Sequence, residues 1–229
     1  MPDAKRKERA AARRAAQVAE AEAWQAKVDR HFAYLRTTYD FRITSADASS
    51  FWVTRVVYQS DVAAVAVDRS VEFERVELSV IRLVDGRLPE YPIFILPDTV
   101  INQTLFDNIL TIRSPHLVGQ LDEFRGLDDE HIETSLAFLG RTLEEIAPDF
   151  LTGDLSIFEA VDALIKERVK AHPPIITVHL PESATAEQEA AAIEAARNGS
   201  PGVQVVARRY RRPVSPKRKN PANNADTAQ

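Results

Sequence analysis

Hydrophobic and polar positions change their period along this chain, and each change marks a change of element. From about residue 4 to residue 38 no helix breaker occurs and Ala, Arg, Glu, Gln and Lys dominate, which predicts one long helix. Its first half is Ala and charge without an apolar stripe. In its second half Trp24, Val28, Leu35 and Tyr39, with Phe32 beside them, recur at spacings of three, four and seven. That half is expected to dock on a core while the first projects into solvent.

Residues 41–96 switch to β-branched and aromatic runs that read as a β-meander. FRIT (41–44), FWVTRVVY (51–58) and VAAVAV (62–67) are strands, and the break at Gln59-Ser60-Asp61 is short enough for a hairpin. In VEFERVELSVIRLV (71–84) the apolar positions move from odd to even near Glu74-Arg75, which indicates a β-bulge or the start of a new strand. Asp85-Gly86 supplies the positive-φ residues of a tight turn. IFIL (93–96) reads as a further strand, and Pro89 and Pro92 confine residues 87–92 to an edge or a loop.

Helical spacing then returns. Asp98 is read as the N-cap of a helix over 99–112 that ends before Ser114-Pro115, and 113–126 as a loop or short helical turn. Asp128 caps a helix in which Ile132, Leu136, Leu139, Leu143 and Ile146 follow at 4, 3, 4, 3 spacing until Pro148. Gly140 in its middle costs about 1 kcal/mol relative to Ala. Ser156-Ile-Phe-Glu159 has the form of a capping box and opens a helix to about Ala171, with Phe158, Val161, Leu164, Ile165 and Val169 on one face.

Beyond the stiff His172-Pro173-Pro174 junction come IITVHL (175–180), a Thr185-x-x-Gln188 cap with an Ala-rich helix (185–197), a turn at 198–202 and VQVVA (203–207). A strand, helix and strand of this length form a βαβ crossover, whose strands are parallel. The expected organisation is a charged helical extension (1–22), an α+β main domain (23–172), the β-α-β unit (173–207) and a basic disordered tail (208–229). The fold class is therefore α+β: a long N-terminal helix, an antiparallel meander with helices on one face, and a small C-terminal strand–helix–strand unit. One face of that sheet is expected to stay free, with Phe51, Trp52 and Tyr58 suited to a contact surface.

The formal charge of −5 over 229 residues hides a polarity. Residues 1–14 carry Lys5, Arg6, Lys7, Arg9, Arg13 and Arg14 against Asp3 and Glu8, a net of +4. Residues 208–229 carry Arg208, Arg209, Arg211, Arg212, Lys217, Arg218 and Lys219 against Asp226, a net of +6, which leaves −15 for the body between. Arg208-Arg209-Tyr210-Arg211-Arg212 places an aromatic ring among guanidinium groups, and with Lys217, Arg218 and Lys219 forms the candidate contact for a protein partner or for nucleic acid.

Chemistry is sparse elsewhere. With no Cys there is no disulfide, thiolate zinc site or thiol nucleophile. Asp128, Asp129, Glu130 and His131, with Asp122 and Glu123 upstream, are read as charges complementing a helix N-terminus, and His31, His116, His131, His172 and His179 never pair at helical spacing. Ser45, Ser49 and Ser50 belong to turn chemistry, no G-x-S-x-G occurs, and the seven glycines form no phosphate-binding loop. No metal, cofactor or catalytic residue is assigned. No apolar run spans a bilayer and the N-terminus lacks a secretory h-region, so the expected compartment is the cytoplasm, with no membrane contact.

FLTGDLSIFEAVDALIKERVKAH (150–172), following the meander that starts FRITSADASSFWVTRVVYQS (41–60), resembles uncharacterised bacterial α+β proteins, including small immunity-type proteins that bind a toxin partner. The resemblance covers about half the chain and implies a protein partner, with no functional residue to carry over. The expected function is non-catalytic interaction, in which an acidic body with basic ends binds a protein or a second copy. The alternatives are a nucleic-acid accessory protein acting through its termini, and a hydrolase or transferase with a dispersed site.

Overall fold

A computed structural model describes residues 2–48, 50, 52–90, 99–172, 175–181, 184–199 and 204–210. The chain divides into two compact units, Met1–Arg168 and Val169–Gln229.

The first unit opens with helix α1 (Pro2–Thr37), followed by strands β1 (Arg42–Asp47), β2 (Val53–Gln59), β3 (Ala63–Ser70) and β4 (Arg75–Arg82). Then come β5 (Gln103–Leu105), α2 (Phe106–Arg113), a 3-10 turn at Pro115–Leu117, α3 (Gln120–Glu123), α4 (Asp129–Ile146), α5 (Pro148–Leu151) and α6 (Ile157–Ala171). The five strands form one antiparallel sheet in the order β1-β2-β3-β4-β5. The fold is α+β, as the two hydrophobic periods imply.

Register sorts the side chains. Val56, Tyr58, Val65, Val67, Leu78 and Val80 are buried on one face against Trp24, Val28, Phe32 and Leu35 of α1 and Leu136, Leu139 and Leu143 of α4. Trp24 Nε1 donates to the Val67 carbonyl at 3.3 Å, and the Tyr58 hydroxyl donates to Asp29 at 3.1 Å. Lys27 and Asp129, and Arg30 with His31 and Glu133, tie α1 to α4 along its polar flank. Gly140 lies where the two helices meet: a Cβ there would stand 2.6 Å from the His31 carbonyl oxygen, and the Tyr34 hydroxyl donates to the Gly140 carbonyl at 2.9 Å.

The break in pattern at Glu74-Arg75 is the start of a new strand. Residues 71–74 turn, Glu74 takes φ 50°, and β4 begins at Arg75. Asp85 and Gly86 both have positive φ between the bridged Val84 and Arg87, the two-residue hairpin expected there.

Four expectations need correction. The helix read over 99–112 begins at Phe106, and Leu105, not Asp98, is its N-terminal neighbour. The β-branched run Thr99-Val100-Ile101 buries Ile101, and Gln103–Leu105 pair with Ile81, Val80 and Ser79 of β4. Ladder hydrogen bonds outweigh a helix start there. Asp98 and IFIL (93–96) lie outside the described residues. The second face of the sheet is not free: Val57, Ala64, Ala66, Ile81 and Leu83 form their own buried cluster. Tyr58 sits fully buried on the core face, Phe51 lies outside the described residues, and Trp52 alone of that trio is exposed, at 55%. The turn before α6 is held by Asp154, whose carboxylate accepts the Ser156 N–H at 2.9 Å, in place of a reciprocal capping box.

The second unit holds β6 (Ile175–Pro181), α7 (Ala186–Gly199) and β7 (Gln204–Tyr210). The strands are parallel, with Ile176 opposite Val205 and Val178 opposite Ala207. Here the capping box is complete, since Thr185 N–H donates to Gln188 Oε1 at 3.0 Å and Gln188 N–H to Thr185 Oγ1 at 3.2 Å. β7 runs to Tyr210, so Arg208, Arg209 and Tyr210 belong to a strand and not to a tail. They lie in register with His179, Leu180 and Pro181 and make the last three of the ladder's seven pairs, which a tail would forgo.

A buried phenol, Tyr58, and a half-buried one, Tyr34, give the fold an alkaline limit. Burial, reinforced by Glu144 and by Asp29 respectively, raises the pKa of Tyr34 and of Tyr58. The folded chain therefore holds these protons more tightly than the unfolded chain. Their contribution is complete below the ordinary tyrosine value of about 10 and is lost as pH rises above it. Thermal melts should fall in Tm above about pH 10, and Tyr58→Phe should flatten that fall. An identical alkaline slope in the variant would refute the assignment.

Candidate interaction surface

The two basic ends belong to different elements. Arg208, Arg209 and Tyr210 are at the end of β7, and Arg211, Arg212, Lys217, Arg218 and Lys219 lie outside the described residues. The N-terminal basic residues are all helical. Every residue from 5 to 16 is exposed, and the first buried position of α1 is Ala21. These twelve residues make an arm of about 18 Å.

Its charges face a defined direction. Positions eighteen apart on a helix coincide after five turns of about 3.6 residues. Arg6 thus lies in line with Trp24, Ala10 with Val28, Arg14 with Phe32 and Gln17 with Leu35. The face that is apolar against the sheet continues outward as a basic face, and Arg13 widens it. Among the described residues, none of Lys5, Arg6, Lys7, Arg9, Arg13 and Arg14 forms a salt bridge.

The arm leaves the body at one end of the sheet. Asp29 meets Tyr58 of β2, and Glu20, about two and a half turns earlier, meets Thr54 of β2 and pairs with Arg69 of β3. Toward the N-terminal side of these contacts Val18 of α1 and Trp52 before β2 are exposed, at 57% and 55%. Trp52 accepts the Val71 N–H at 2.8 Å, which joins it to the turn carrying Phe73, exposed at 51%. Glu72 and Glu74 flank that ring and are exposed. Val18, Trp52 and Phe73 were not legible as a group, because they come from a helix, a strand start and a turn. Of the three, Trp52 was the one that the sequence marked as suited to a contact surface.

Catalytic geometry is thin by comparison. A cavity of about 520 Å³ is lined by Tyr39, Asp40, Arg42, Gln59, Asp61 and Thr152, among others. Histidine meets carboxylate at His31–Glu133 (2.9 Å) and His131–Asp128 (2.7 Å), and neither pair has a Ser or Thr hydroxyl in hydrogen-bond reach among the described residues. Asp128 caps α4 through the His131 N–H, and these two hydrogen bonds hold its carboxyl below the ordinary range. Among the described residues no three His, Asp or Glu side chains gather around a point that could hold a metal. No helix among them is long and apolar enough to cross a membrane.

Fold and surface together define an α+β protein with a protruding basic helical arm. Comparison with family models, with curated proteins and with solved structures finds no match, so the resemblance seen in residues 41–60 and 150–172 has no counterpart there.

Proposed function

We propose that this chain acts by binding and not by catalysis, presenting the arm of α1 to an acidic protein surface. The observation that carries this reading is the continuation of a core-facing helical stripe into an exposed face with Arg6, Arg13 and Arg14, none of them salt-bridged within the described chain. A helix so placed keeps its cations desolvation-free until a partner arrives, and such charges steer encounter and select partners. The net −15 between residues 15 and 207 repels a uniformly anionic polymer such as nucleic acid and attracts basic surfaces, which favours a protein that carries charges of both signs, acidic opposite the arm and basic opposite the body.

Deleting residues 1–14 should leave Tm within about one degree, because exposed positions contribute within roughly 0.5 kcal/mol. A large drop would mean that the arm holds the body together. Reversing Arg6, Arg9 and Arg13 to Glu should likewise leave the melt unchanged while abolishing co-purification of a discrete, stoichiometric protein from nuclease-treated extract. Binding of oligonucleotides that weakens steeply with salt and vanishes in the same variant would transfer the arm to nucleic acid.

A further inference from the structure

We propose that the acidic partner of the arm is a second copy of this chain, joined through the corner where α1 leaves the sheet. This rests on the binding reading above and names the occupant. This end of the sheet carries three features: the exposed apolar side chains Val18, Trp52 and Phe73, an acidic turn at Glu72 and Glu74, and the start of the basic arm. Such a surface is complementary to itself. A two-fold axis through the patch sets Trp52 and Phe73 of one copy against those of the other and carries each arm over the other's Glu72–Glu74 turn.

Within one chain the same groups do not meet. Among the described residues neither Glu72 nor Glu74 forms a salt bridge, and no Lys or Arg of the arm does. The patch alone is also too small. About half of three side chains, none exceeding roughly 250 Å², falls well short of the roughly 800 Å² per partner of a stable interface, so the arm has to take part. Its run of Ala10, Ala11, Ala12, Ala15 and Ala16 lets another backbone approach closely while the guanidinium groups reach carboxylates.

Charge exchange in the full-length chain tests the pairing by sedimentation. Wild type should dimerise, with the dissociation constant rising at least about tenfold between low and high salt. Arg6→Glu/Arg13→Glu/Arg14→Glu should be monomeric, and so should Glu72→Lys/Glu74→Lys, since each sets like charges together. Mixing the two variants should restore a heterodimer, because both arm–turn contacts are then attractive. Trp52 emission should shift to shorter wavelength on dimerisation, whereas buried Trp24, the other of the two tryptophans, reports an intact fold. A monomeric wild type, or variants that fail to pair on mixing, would overturn the dimer. In either case, co-purification of a different protein that the arm variant loses would leave the binding reading standing, and its absence would remove both.

Discussion

Trp24→Ala should lower stability by about 3–5 kcal/mol, the usual cost of emptying a large aromatic from a core. In a chain of this size that corresponds to a fall in Tm of roughly 10 °C. The indole is 3% exposed, packs with Val28 and Phe32 under α1, and joins helix to sheet through its hydrogen bond to the Val67 carbonyl. The substitution removes buried apolar area, leaves a cavity that a sheet on one side and a rigid helix on the other cannot close, and deletes the indole hydrogen bond from α1 to β3. Calorimetry of the single variant suffices. An unchanged Tm would mean that α1 is not anchored where the arm begins, and the direction assigned to the arm's basic face would fall with it.

Gly140→Ala should destabilise by about 2 kcal/mol or more, although helix propensity alone assigns Ala a gain of about 1 kcal/mol at an interior position. The two arguments have opposite signs, which makes the measurement decisive. The added Cβ would sit 2.6 Å from the His31 carbonyl oxygen and 3.3 Å from its carbon. Both are backbone atoms of a helix whose Phe32 and Leu35 are fully buried, so neither can swing aside. α1 and α4 must separate, which strains the Tyr34 hydroxyl bond to the Gly140 carbonyl and the His31–Glu133 contact on the same seam. A variant that melts at or above wild type would show that the seam relaxes and that the glycine is there for another reason.

What was legible in the sequence is what local physics controls. The long helix and its change from projecting to docked are written in Trp24, Val28, Phe32 and Leu35, because burial needs a stripe and Ala with charge offers none. The meander followed from period-two runs and from Asp85-Gly86, whose positive φ few residues tolerate, and the Asp128 and Thr185 caps followed from side chains that satisfy orphan N–H groups one turn away. Glu74-Arg75 was legible as a break in phase, and the structure resolves it as a new strand.

Tertiary pairing decided the rest. Thr99 to Leu105 could serve a helix or a strand, and only the open edge of β4 made Gln103–Leu105 a strand. Tyr58 alternates with Val57 in a run apolar on both sides, so the sequence could not say which of the two faces the helices; Asp29 and Phe32 decided it. Gly140 reads as a flaw in a helix until His31 is brought to its α-carbon. Val18, Trp52 and Phe73 lie more than thirty and fifty positions apart at their extremes, with no period in common. By itself the sequence determined an α+β chain with an acidic body and a basic helical start, since composition and periodicity are properties of neighbours. Where the basic face points, and what stands beside it, came only from the way α1 crosses the sheet, since contacts between distant segments depend on packing that no local pattern encodes.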